Sequence, residues 1–325
     1  MSISSKVTLF LLALLLIFSC NKSNIPPDLD FKEEMRNFVI NISQNAKSTD
    51  PDFIIIPQNG IELVTQNGEE DGAPHSAYLA AIDGHGQEDL FYGYDNDDKA
   101  TSDKDNLYLR AFLDISKVQG NTILATDYCS TPSKMEDSYA QNQSQGYISF
   151  AASHRELDNI PDYPAQIFQE NSNQITTLSQ AKNFLYLINP ENFASKAEFI
   201  NAVTSTNYDV IIMDLFFQEN VTFTSAEISQ LKAKANGGSR LVISYMSIGE
   251  AEDYRYYWNQ DWNKNKPEWL DKENPNWKGN FKVKYWNQDW QDIIYGQTDS
   301  YLSQILEVGF DGVYLDIIDA FEYYE

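Results

Sequence analysis

The chain has 325 residues, 42% of them hydrophobic, and a formal net charge of −25 from 48 acidic against 23 basic side chains. That hydrophobic content is ample for a core, and the length suits one large domain or two small ones. So acidic a chain is a poor partner for nucleic acid or an anionic membrane surface and would draw in a cationic substrate, although many exported proteins are simply acidic.

Residues 1–19 read as a signal peptide. Lys6 supplies a positive start, and Val7 to Phe18 is an apolar run too short for a good membrane span. Leu16-Ile17-Phe18-Ser19-Cys20 resembles a bacterial lipoprotein cleavage box. By that resemblance Cys20 becomes the lipidated N-terminus and residues 20–30 a polar tether. The protein is then an exported, membrane-anchored lipoprotein on the periplasmic or cell-surface side of the envelope. The other reading is an ordinary signal peptide followed by a chance cysteine. With Cys20 used, Cys129 is left without a partner for an intramolecular disulfide, and no zinc-type spacing exists.

Phe31 to Ala46 has helical spacing at Phe31, Met35, Phe38, Val39 and Ile42. Strand-like apolar runs then begin at Phe53, Tyr78, Thr122, Tyr147, Phe184, Val210, Leu241 and Val313. Their continuous rather than alternating apolar character predicts strands buried on both faces, as in parallel sheets. Ser225 to Ala235, with Ser225 as cap and Gly237-Gly238 as stop, fits a crossover helix. Eight such units predict an α/β fold, a (β/α)8 TIM barrel over residues 31–325 as a single domain, with a doubly wound sheet as the alternative. Nearly every strand ends in a polar or acidic residue, which favours a barrel with one convergent site. Tyr254 to Trp290 carries all six tryptophans amid Asn, Asp and Lys. It reads as a long Trp-rich loop over the C-terminal face, too polar for core. Its aromatics, Trp258 among them, either stack on sugar rings or pack among themselves.

No Gly-rich phosphate loop, HExxH or nucleophile elbow is present. No cofactor or metal is called for, and His85, near a strand end, is either structural or part of the site. The remaining candidates are carboxylates at strand ends: Asp83, Glu88, Asp127, Glu156, Asp214, Glu250, Glu252, Asp316 and Asp319. Singly, each reads equally well as a salt-bridge partner or helix cap. Together, nine of them on one face favour a polar active site; glycoside hydrolysis is one chemistry that uses two such acids, one ionised and one held protonated, a separation that burial and like-charge proximity produce.

The segments Ser244 to Arg255 (SYMSIGEAEDYR), Gly309 to Asp319 (GFDGVYLDIID), Asp52 to Glu62 (DFIIIPQNGIE) and Gly86 to Tyr92 (GQEDLFY) resemble glycoside hydrolase family 114. This is the endo-α-1,4-polygalactosaminidase-like barrel family, whose members have also been mislabelled as related to cysteinyl-tRNA synthetase. The likeness is to its bacterial and archaeal branch and covers about residues 31–325. It implies a (β/α)8 barrel, a retaining mechanism and a galactosamine-containing α-glycan. By motif match Asp316 would be the nucleophile and Glu88 the acid/base, with roughly 5 Å between carboxylates for retention against roughly 9 Å for inversion. Asp214, Glu250, Asp319, Asn59, Asp127, Tyr128 and Trp258 are the candidates for binding sugar hydroxyls, an ammonium or a sugar face.

Relative to that family the order is exchanged. Residues 31–160 resemble the second half, 161–180 join the old termini, and 181–325 resemble the first half. This predicts a circular permutation, with the helix at Phe31 docking beyond Tyr324 and Phe31 close to Glu325 at the catalytic face. A rearranged gene or misassembled reading frame is the other explanation. The expected activity is an exported glycoside hydrolase acting on a poly- or oligosaccharide, as a monomer that meets a membrane through its lipid and binds no nucleic acid. A non-catalytic glycan-binding lipoprotein on the same barrel is the competing class. A third, weaker option, an aminoacyl-tRNA-related role, is opposed by the charge and by the lack of a nucleotide-phosphate motif.

Overall fold

Buried strands and one-sided helices alternate through the computed structural model, which describes residues 28–218 and 220–325. The leader and Cys20 lie outside the described residues. Phe31–Glu325 segregates as one compact unit. Its parallel strands are β1 (Ile54–Pro57), β2 (Gly84–Glu88), β3 (Thr122–Tyr128), β4 (Ile148–Ala152), β5 (Phe184–Tyr186), β6 (Val210–Asp214), β7 (Leu241–Ser247) and β8 (Gly312–Asp316). Five form a parallel sheet in the order β1-β8-β7-β6-β5, and three form a second in the order β2-β3-β4. The run from β5 to β8 lacks the reversal of a doubly wound sheet.

The regular ladders stop at two seams, where the sheets still touch. Between β1 and β2, the Asn59 amide donates to Gly86 O at 2.8 Å and the Asp83 amide to Ile55 O at 2.9 Å. Between β4 and β5, the Phe150 and Phe184 rings lie 5.7 Å apart. Side chains cross the space between the sheets, as where the Tyr186 hydroxyl donates to Gln58 Oε1 at 2.8 Å.

The first and last strands are direct neighbours, Ile54 opposite Gly312 through Pro57 opposite Leu315. Helix α1 (Phe31–Thr49) begins beside the end of β8 and buries Met35, Phe38, Val39, Ile42 and Ala46 along one stripe before the chain enters β1. Lys32 pairs with Glu325 at 2.5 Å, and the Phe31 and Tyr324 rings lie 5.6 Å apart.

Three local expectations are corrected. The strand read from Tyr78 is a helix, α2 (Ser76–Ala81), capped by His75 Nδ1 accepting from the Tyr78 amide at 3.2 Å. The strand is the polar-looking Gly84-His85-Gly86-Gln87-Glu88. It escapes apolar pattern-reading because its glycines make room for neighbours: a Cβ on Gly86 would fall 2.0 Å from the Tyr314 hydroxyl. The crossover helix Ser225–Leu231 ends before Ala235 and is capped by Thr224, not Ser225, in a reciprocal box with Glu227. The residues beyond it serve burial: Lys234 pairs with Asp209 at 2.8 Å, both fully buried, and its ammonium donates to Asn171 O, fastening the segment before β5. After β8 the chain makes a 3-10 helix, Ile318–Tyr323.

Residues 254–290 are also more ordered than a loop. Glu250–Glu252, Asn280–Val283 and Leu270–Glu273 form a small antiparallel sheet. Trp269 and Trp290 are core residues, and Trp290 Nε1 donates to Ile248 O at 2.9 Å. Polar sequence neighbours hid them, although both indoles pack in a cluster of rings with Tyr257 and Trp262. Among the described residues no helix is long and apolar enough to cross a membrane.

Candidate active site

A cavity of ≈ 330 Å³ opens at the C-terminal ends of strands from both sheets. Gln58 and Asn59 follow β1, while Glu88, Tyr128, Tyr186, Asp214, Tyr245 and Asp316 come from β2, β3, β5, β6, β7 and β8. Strand register sets this convergence, since Tyr245 lies opposite both Tyr314 and Asp214. A second hollow of ≈ 460 Å³ lies near the opposite ends of the strands, by Thr49 and Glu307. There Lys232 and Asp311 satisfy each other at 2.7 Å, and no carboxylate pair converges.

Glu88 and Asp316 are both half-buried in the cleft. Glu88 accepts from the Tyr128 hydroxyl and from Asn59 Nδ2 at 3.2 Å. Burial pushes its pKa up, and these donors oppose the rise. Asp316 accepts from the Tyr245 hydroxyl at 2.7 Å. Burial first, and the Glu88 charge second, push the Asp316 carboxyl up to about 7. Asp319 is likewise pushed up to about 7, by burial and then by Glu322. The pair is therefore close enough to share electrostatics and is poised to hold a proton near neutral pH.

Backbone strain concentrates here. Asn59, Asp89 and Ile317 take φ values of 58°, 59° and 58°, each beside a cleft carboxylate. For the β-branched Ile317 this is a real outlier. Its carbonyl is accommodated by Gly249, where a Cβ would lie 2.1 Å from Ile317 O.

Asn59 is chiefly a positioner: its Oδ1 accepts from the Glu88 amide at 3.1 Å and from Gln87 Nε2 at 3.2 Å. His85 Nε2 meets Asn59 O at 3.0 Å, which requires the proton on Nε2, and burial holds its pKa down at about 4, so it is neutral and structural. Tyr128 carries the Arg155 guanidinium 3.8 Å from its ring centroid, and Arg155 in turn pairs with Asp89 at 2.8 Å. Asp214 reaches the cleft but is tied to Arg255 at 2.6 Å, which also pairs with Glu252.

Several predicted residues lie elsewhere or do other work. Asp127 is fully buried, and its carboxylate accepts from the Phe91 and Tyr92 amides, Ser138 Oγ and Asn142 Nδ2 at 2.6–3.2 Å. It does not line the cleft. Asp83 binds Lys47 at 2.9 Å before β2 begins. Glu250 lines the cleft yet is 0% exposed, with its oxygens turned to Asn274, Asn280 and Tyr323. Trp258 packs on Trp262 and Phe281 instead of the cleft. Glu156 is an exposed lining residue. The sequence reading missed Tyr245, Tyr254, Arg155 and Arg255, whose only early signal was proximity to strand ends and to the SYMSIGEAEDYR segment, and it took Trp277 only as one of six tryptophans that could meet sugar. Among the described residues no group of three or more His, Cys, Asp or Glu is arranged to hold a metal ion.

Comparison with known proteins places the half of the chain that carries Asp316. Residues 165–324 match glycoside-hydrolase family GH114. This match supports a glycoside-hydrolase-like function and an α/β fold of TIM-barrel type. Glu88 lies outside the matched residues. An uncharacterized protein of Methanocaldococcus jannaschii is 40% identical over 159 residues, 47% of this chain and 42% of that protein. Uncharacterized proteins of Thermotoga maritima and Deinococcus radiodurans are 37% and 40% identical over 38% of this chain, covering 36% and 37% of their own lengths. The chain thus spans less than half the length of these relatives.

Proposed function

We propose that this protein is an exported retaining glycoside hydrolase that cleaves an α-linked, galactosamine-type glycan. The carrying observation is the pair Asp316 and Glu88, half-buried together in one strand-end cleft, each braced by a tyrosine hydroxyl. Asp316 attacks the anomeric carbon and Glu88 protonates the departing sugar oxygen; Glu88 then takes a proton from the water that releases the product. In the free cleft burial raises both carboxyls, Asp316 up to about 7 with the Glu88 charge as second cause, so the pair favours holding a proton. Positive charge developing at the anomeric carbon favours ionised Asp316 and sends the proton to Glu88. An acidic cleft with Asp319 and Glu156 suits a substrate bearing ammonium groups.

The two sheets, in this reading, are one (β/α)8 barrel whose gene order is circularly permuted. The direct β1–β8 pairing, the Lys32–Glu325 contact and a family match confined to residues 165–324 support it. Lipid anchorage through Cys20 completes the proposal and rests on the leader sequence alone.

The test is azide rescue on α-1,4-linked galactosamine polymer. Asp316→Ala with azide should yield a glycosyl azide of inverted configuration, and Glu88→Ala one of retained configuration. Exchanged configurations would reverse the roles. Unimpaired hydrolysis by either variant would remove the residue from the chemistry. If the wild type binds this polymer without cleaving it, the protein is a glycan-binding lipoprotein instead.

A further inference from the structure

Five of the six tryptophans in the inserted region are consumed by packing. Trp258, Trp262, Trp269 and Trp290 form a chain of ring contacts at 4.9–5.3 Å, and Trp286 packs on Phe31, Tyr285 and Tyr324. Trp277 stands apart. It is 59% exposed, yet it lines the same cleft as the carboxylate pair. Its ring is left largely in water at the rim of a polar cleft.

The turn that presents it is firmly held. Residues 274–280 close the hairpin between Leu270–Glu273 and Asn280–Val283. The Asn274 amide donates to Asn280 O at 2.7 Å, the Asn280 amide to Trp277 O at 3.1 Å, and the Gly279 amide to Glu273 Oε1 at 2.9 Å. Asn274 Nδ2 donates to Glu250 Oε1 at 2.7 Å, and Tyr323 donates to the same oxygen at 2.8 Å. Glu250 is fully buried, so its carboxylate needs these partners. It therefore ties the hairpin to the 3-10 helix that follows the strand bearing Asp316.

We propose that Trp277, held in place by the Glu250–Asn274 anchor, is a platform for a pyranose ring at an outer subsite of the cleft. An indole face offers a flat apolar surface to the axial C–H face of a sugar, at low ordering cost because the ring is already placed. A platform at the exposed rim of the cleft favours a chain of several sugars over a short one. The inference rests on the glycan-cleft reading above and names a subsite of that cleft.

The experiment is isothermal titration calorimetry with α-1,4-linked galactosamine oligomers of two and six units, on the full chain with Asp316→Asn in every protein so that bound oligomer is not cleaved. This parent protein should prefer the hexamer. In Trp277→Ala the ratio of hexamer to dimer affinity should fall about tenfold, with an unchanged near-ultraviolet spectrum of the buried aromatics. Asn274→Ala keeps the indole and cuts the anchor, and should lower the ratio about threefold. Retention of the full ratio in Trp277→Ala overturns the platform while leaving the catalytic pair untouched. Failure of the parent protein to prefer the hexamer, or to bind either oligomer, also overturns it. An unchanged ratio in Asn274→Ala overturns the anchor. Loss of the ratio in Trp277→Ala, where the wild type hydrolyses neither oligomer, supports the platform and refutes the hydrolase.

Discussion

Replacing Asp316 by Asn should stabilise the protein at pH 8 and do little at pH 4. The Asp316 carboxyl, pushed up to about 7 in the fold, titrates near 3.9 in an unfolded chain. Below about pH 4 both states hold the proton and the group is neutral in its effect. As pH rises from about 4 to 7 the unfolded chain ionises freely while the native state keeps its proton, so stability falls. Above about 7 the native carboxylate is ionised in a half-buried site beside Glu88, and the penalty is constant. Three pH units at about 1.4 kcal/mol each set a ceiling of about 4 kcal/mol. Water in the open cleft screens the charge and brings the expectation to about 1–2 kcal/mol. Asn keeps the size and still accepts from the Tyr245 hydroxyl. Urea unfolding of both proteins at pH 4 and pH 8 measures the difference. An equal effect at the two pH values, or a loss of stability at pH 8, would refute the reasoning that Asp316 is electrostatically strained by its site.

The same exchange at Asp127 should have the opposite sign, costing about 1–3 kcal/mol in urea melts at neutral pH, because an amide NH2 would face the donors now satisfied by the carboxylate. Lys234→Met should destabilise by about 3–5 kcal/mol, since it leaves Asp209 charged and fully buried; a loss under 1 kcal/mol would show that water reaches the pair. Gly86→Ala should cost about 1–3 kcal/mol or more by driving a methyl into the buried Tyr314 hydroxyl, and a thermal melt unchanged from wild type would contradict that packing.

Legibility in the sequence followed burial chemistry. Strands β1, β3, β4, β5, β6, β7 and β8 were readable because burial on both faces demands unbroken apolar runs such as Phe53-Ile54-Ile55-Ile56 and Val210-Ile211-Ile212-Met213. Strand β2 was not, because its inward faces are filled by other residues' side chains meeting Gly84 and Gly86. Asp316 and Glu88 were two of nine acids near strand ends and were singled out by the family resemblance, and both do line one cleft. Asp127, in the same pattern, is a structural acid, because its side chain turns to the amides of Phe91 and Tyr92 and not to the cleft. Strand alternation alone did not tell these two fates apart.

The sequence by itself determined the alternation of buried strands and helices, the acidic strand ends and the position of Asp316 in the YLD motif, since these depend on residue type and local period. Only the tertiary structure decided the register in which the first and last strands pair, that Tyr128 and Tyr245 brace the two carboxylates, and that Trp277 rather than Trp258 faces the cleft. Those outcomes depend on contacts between residues tens to hundreds of positions apart, such as Ile54 with Gly312. Periodicity carries no information about which distant side chains will share one space.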